Sequence, residues 1–99
     1  MVNANLLAAA MMHMEGAFRV SSLAWRNNNP GNIMDDTHKL RTYNTKEEGY
    51  DALVEDILAN RGSSLRNFIT KYAPPTENAT SLYIQVVCSI TGYEPETLI

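Results

Sequence analysis

One cysteine, two histidines and one tryptophan are all the chain has of these residues, and each scarcity removes a class of chemistry. The lone thiol, Cys88, closes no disulfide within the chain. It lies in the apolar run Ile84 to Ile90, where a core thiol is expected rather than a nucleophile. His13 and His38 are not spaced as metal ligands or as a nucleophile–base pair. A zinc amidase or a Cys/His endopeptidase has no residues to be built from, and no metal or cofactor is expected. Positive charge is also short: eight Lys and Arg against eleven Asp and Glu leave a net charge of −3. The basic residues are scattered, which argues against nucleic acid as a partner, since a phosphate backbone needs a basic face. The same deficit gives no electrostatic attraction toward an anionic cell wall. No apolar run approaches the ~20 residues that cross a bilayer, so no membrane segment is expected. Residues 4–12 have some look of a signal peptide. They lack a basic leading region and pass straight into a polar motif, so a core helix and no export signal are expected. No internal repeat, linker or low-complexity tract occurs.

What remains, 44% hydrophobic and 19% charged residues, suits one soluble globular domain over residues 1–99 with one core. Asn3 or Asn5 can cap a first helix running to Met14, with Gly16 as its left-handed stop. Ala17 to Trp25 reads as a loop or short helix, with Trp25 a core anchor. Short apolar pieces at 32–34 and 40–43 suggest a small β-hairpin. Thr45-Lys46-Glu47-Glu48 is a capping box, followed by a helical face of Tyr50, Leu53, Val54, Ile57 and Leu58 that ends at Asn60-Arg61-Gly62. Ser63 or Ser64 opens a third helix to Tyr72, stopped by Pro74-Pro75. Asn78 or Thr80 opens a fourth, with Leu82, Tyr83, Val86, Val87 and Ile90 facing inward and Gly92 as its stop. The expected class is α+β, mainly helical: about four helices and a small hairpin.

Two features carry chemistry. Glu15 is a single carboxylate at the end of an apolar helix, near the negative end of the helix dipole. Its pKa is expected to rise there, which suits a general acid. Ten residues after Gly16 comes Arg26-Asn27-Asn28-Asn29-Pro30-Gly31-Asn32. Pro30-Gly31 fits the centre of a type II turn with Gly31 at positive φ. The asparagines can lock such a loop or read sugar hydroxyls.

Met14-Glu15-Gly16 followed by Arg26 to Ile33 resembles the lysozyme-like domains of phage and prophage proteins that degrade peptidoglycan. The likeness continues through Thr45-Lys-Glu-Glu-Gly-Tyr-Asp-Ala-Leu53, Tyr72-Ala-Pro-Pro-Thr-Glu-Asn-Ala-Thr80 and Thr91-Gly92, in the family's order and over nearly the whole chain. It implies a lysozyme-like fold, a muramidase or lytic transglycosylase activity on peptidoglycan glycan strands, and Glu15 as the catalytic acid. A cleft of that kind takes Asn28, Asn29, Asn32, Tyr43, Tyr72 and Tyr83 as substrate-binding residues. Tyr72 and Tyr83-Ile84-Gln85-Val86 are similar to the tyrosines that flank the cleft of lytic transglycosylases, although the Gly-Leu-Met-Gln turn of those enzymes is absent. The resemblance also suggests a virion or the host cytoplasm as the protein's place before it reaches the bacterial wall.

Hydrolysis of a glycoside usually takes a second carboxylate. Asp35, Asp36, Glu47 and Glu48 lie on or beside the expected hairpin, and no motif singles one out. A lytic transglycosylase needs none, because one Glu serves as acid and then as base toward the substrate's own C6 hydroxyl. The rival reading is a lysozyme-like module that binds peptidoglycan or builds a virion without catalysis. A plain helical interaction domain explains the apolar pattern but not the Asn-Pro-Gly turn beside a lone helix-end Glu.

Overall fold

The computed structural model describes residues 1–99 as five helices: α1 Ala4–Glu15, α2 Leu23–Arg26, α3 Lys46–Ala59, α4 Leu65–Tyr72 and α5 Thr80–Thr91. Each of the first four begins where a side chain satisfies an orphan amide. Asn3 accepts from Leu6, Ser22 from Trp25, Thr45 from Glu48 and Ser64 from Asn67. Glycines at positive φ stop α1 (Gly16, φ 76°) and α5 (Gly92, φ 79°). Helix α5 opens at Thr80, one of the two expected starts, but without a side-chain cap. Ala79 is the N-cap and makes no side-chain bond. The Asn78 amide instead donates back to the Pro74 carbonyl at 3.3 Å, and the Thr80 hydroxyl reaches the Ala73 carbonyl. Both groups brace the Pro74-Pro75 corner.

Helix α1 packs against α3 and α5, and α5 against α4. The core comprises Leu7, Met11, Leu53, Ile57, Leu65, Phe68, Ile69 and Val87 with their neighbours. The buried face of α5 is Thr80, Tyr83, Ile84 and Val87, while Leu82 and Ile90, expected to face inward, are exposed. Leu58 is likewise exposed on α3. Cys88 is partly buried on α5.

The molecule is mainly helical, and β-structure amounts to two isolated antiparallel bridges, Met34 with Leu40 and Ser64 with Leu98. The hairpin expected at 32–34 and 40–43 therefore contracts to one bridge. The reason is a side chain that takes a strand's place. Arg41 N–H donates to the Ile33 carbonyl at 2.9 Å, but the reciprocal bond is replaced by Asn29. Its Oδ1 accepts from Ile33 N–H at 2.9 Å, and its Nδ2 donates to the Arg41 carbonyl at 2.9 Å.

The segment after Gly92 is woven into the body. Leu65 N–H donates to Thr97, Ile99 N–H to Ser63 and Val2 N–H to the Leu98 carbonyl. Ile99 is buried in the core.

Candidate active site

Glu15 is the last residue of α1, partly buried, and its side chain lines a cavity of about 460 Å³. Gly16 turns the chain away immediately behind it. Its Oε1 accepts from Asn32 Nδ2 at 3.1 Å and its Oε2 from the Tyr83 hydroxyl at 2.9 Å. The same Asn32 amide donates to the Glu15 backbone carbonyl at 3.2 Å. One amide thus holds both the helix end and the carboxyl. Burial pushes the Glu15 pKa above its ordinary value, while the bonds from Asn32 and Tyr83 pull the other way. Desolvation, not the helix terminus, is the leading cause.

The asparagine loop is built differently from the expected type II turn. Gly31 is not at positive φ; Asn28 (φ 52°) and Asn32 (φ 49°) are the left-handed residues, a conformation asparagine tolerates better than most residues. Glycine is needed at 31 for space: a Cβ there would lie 2.5 Å from the Tyr72 hydroxyl and 2.9 Å from Leu53 Cδ1. At Gly49 of α3 a Cβ would overlap the Asn28 carbonyl oxygen, so loop and helix touch backbone to backbone.

The six residues expected to bind substrate separate into three groups. Asn32 and Tyr72 line the cavity with Glu15. Tyr83 is buried outside the cavity wall, and its hydroxyl donates to the Glu15 carboxyl, which it holds in place. Asn28, Asn29 and Tyr43 are not in the cavity wall. Asn29 is fully buried and spends its amide on Ile33 and Arg41. Asn28 donates to the Tyr43 and Asn44 carbonyls and accepts from Lys46 Nζ, which sits 3.7 Å over the Trp25 ring. These contacts correct the expectation that Asn28 and Asn29 read sugar: their amides are consumed by the loop. Tyr72 donates its hydroxyl to the Gly31 carbonyl. Burial first, then the charges of Glu15 and Asp56, raise its pKa. It faces the cavity as a wall whose proton is already committed.

Of the four carboxylates expected beside the cleft, only Asp35 lines it. Asp35 Oδ1 accepts from Thr37 N–H at 2.8 Å, Thr37 Oγ1 at 2.6 Å and Lys39 N–H at 3.1 Å. These bonds hold its pKa below the ordinary carboxylate value, the Thr37 hydroxyl most of all. Asp36, Glu47 and Glu48 face elsewhere. No motif selects Asp56, Lys71, His38 or Glu77, yet all four line the cavity. Asp56 is on the same helix as Glu47 and Glu48, and nothing in its immediate neighbours distinguishes it. A face count on α3 could have found it, since Asp56 is adjacent to the buried Ile57 and three residues beyond Leu53.

These features define a mainly helical domain with one carboxyl-centred cavity. Compared with known protein families, curated proteins and solved structures, the chain matches none.

Proposed function

We propose that this chain is a lysozyme-like domain that cleaves the glycan strands of peptidoglycan, as a muramidase or lytic transglycosylase, with Glu15 as general acid. The observation that carries the reading is a partly buried helix-end carboxyl of raised pKa, gripped by Asn32 and Tyr83 and open to a cavity of about 460 Å³. A general acid must hold its proton near the working pH and still reach the leaving oxygen. Burial serves the first need and the cavity wall the second. Asn32 and Tyr83 donate to both carboxyl oxygens, so they also stabilise the carboxylate left after the proton is delivered. The small hairpin of a lysozyme-like cleft corresponds in this reading to the Met34–Leu40 bridge and its loop, which carry one rim.

The test is cleavage of purified peptidoglycan, followed by turbidity and by mass of the soluble products, with wild type and Glu15→Gln. Cleavage that is lost in a folded Glu15→Gln protein supports the reading. A wild type that binds the wall without releasing fragments overturns catalysis and leaves the binding module. The net charge of −3 gives neither reading electrostatic attraction to an anionic wall.

A further inference from the structure

The cavity that holds Glu15 also holds a second carboxylate that no loop has claimed. Asp56, in the last turn of α3, lines the same cavity, and neither of its carboxyl oxygens accepts a hydrogen bond within the chain. Asp35 offers a contrast, with one oxygen saturated by three donors of its own loop. Glu77 is exposed on the link after Pro74. Asp56 is partly buried, and the one charge that acts on it is Lys71, an attraction that favours the carboxylate. Burial is the larger influence and moves its pKa upward. Tyr72 feels the charges of both Glu15 and Asp56, so this ring, fixed to Gly31, stands near each carboxylate.

We infer that Asp56 is the general base of the site, activating water for hydrolysis of the bond that Glu15 protonates. The inference rests on the reading of Glu15 as acid and deepens it from glycosidase to hydrolase. In the step, Asp56 takes a proton from water as the water oxygen bonds to the anomeric carbon. The glycosidic C–O bond breaks, its electron pair passes to the leaving oxygen, and that oxygen takes the Glu15 proton. One product is a reducing sugar and the other a new hydroxyl end. Solvent then exchanges the proton on Asp56 and the one missing from Glu15. The attraction of Lys71 favours the ionised base, and the unspent oxygens of Asp56 receive the water.

The experiment compares wild type, Glu15→Gln, Asp56→Asn and Asp56→Glu on purified peptidoglycan, with product masses and pH profiles of kcat/KM. Wild type is expected to release reducing ends, each heavier by one water than an anhydro end. Asp56→Asn is expected to fold, to lose ~10² or more in kcat/KM and to lose the acid limb of the profile. Azide, an anionic nucleophile that needs no base, should restore turnover to Asp56→Asn as a glycosyl azide and leave Glu15→Gln unrescued. Asp56→Glu should recover part of the activity. Anhydro ends from wild type overturn the inference without use of any variant, as does a fully active Asp56→Asn. Either result leaves Glu15 as the acid. A wild type that cleaves nothing overturns both assignments together.

Discussion

Glu15 and Asp35 border the same cavity, and their surroundings move their carboxyls in opposite directions. Asp35 is held by its own loop: every donor to it lies within four residues, on Thr37 and Lys39. Those bonds favour the charged form and make it a stronger acid. Glu15 is held by distant parts of the chain. Asn32 comes from the asparagine loop and Tyr83 from α5, and the burial that raises its pKa belongs to the assembled fold. A strong acid can be made by a five-residue loop in water. A weaker one requires the whole core around it.

The sharpest break in this comparison is functional. Glu15→Gln should keep the fold, being nearly isosteric, and lower wall cleavage by ~10² to 10⁴. Asp35→Asn, measured in the same turbidity assay, should leave cleavage within a few-fold of wild type.

The next test concerns the close packing that brings the loop to the acid. Gly31→Ala drives a methyl into the Tyr72 hydroxyl and Leu53, and Gly49→Ala drives one into the Asn28 carbonyl. Each is expected to cost about 1–3 kcal/mol in urea unfolding, with Gly49→Ala the worse because a backbone atom cannot rotate away. Equal stability to wild type would show that the loop does not lie against α3 as described.

Removing a single hydroxyl is gentler. Tyr72→Phe deletes the bond to Gly31 and should cost about 1 kcal/mol while cleavage survives. Tyr83→Phe removes a donor that lowers the Glu15 pKa. It should therefore shift the alkaline limb of the pH–rate profile upward, a change that Tyr72→Phe does not reproduce.

The smallest effect lies in the pH dependence of stability, where the two carboxyls have opposite signs. Folded Glu15 keeps its proton above the ordinary value of 4.5. Its contribution is full below that pH and is lost as pH rises through the higher folded value. Folded Asp35 gives up its proton below the ordinary value of 3.8. Its contribution is present above that pH and is lost as pH falls through the lower folded value. Unfolding from about pH 3 to about pH 8 should show Glu15→Gln gaining on wild type as pH rises. Asp35→Asn should lose its disadvantage only at the acid end.

The helix limits were legible because caps are local: Asn3, Thr45, Ser64, Gly16 and Gly92 each act within a few residues. Glu15 was legible for the same reason, as a charge set against a glycine stop at the end of an apolar run. The asparagines were not. An amide offers the same donors and acceptor to a carbonyl or to a sugar, and only the path of residues 33–43 past Asn29 decides between them. Gly31 looked like a turn glycine because Pro-Gly commonly is one, whereas its requirement comes from Tyr72, forty-one positions away. Asp56 was one acid among several on α3, and what distinguishes it is a cavity wall supplied by α4 and the Pro74 corner. The inward face of α5 is only partly legible, because Leu82 and Ile90 are as apolar as the residues beside them, and packing against α1 and α4 decides that Tyr83, Ile84 and Val87 are buried.

The bond from Val2 to Leu98, with Ile99 seated in the core beside it, joins the two ends of the domain. In kinetic terms it closes nearly the entire chain into one loop, and the entropy of that closure is paid before the contact returns anything. Such a contact is expected to form after the helices have assembled, beyond the rate-limiting barrier. Weakening it, for example with Ile99→Ala, should leave the folding rate almost unchanged and appear as faster unfolding. On that expectation the seam is a latch on the folded state's lifetime and not on the speed with which that state is reached.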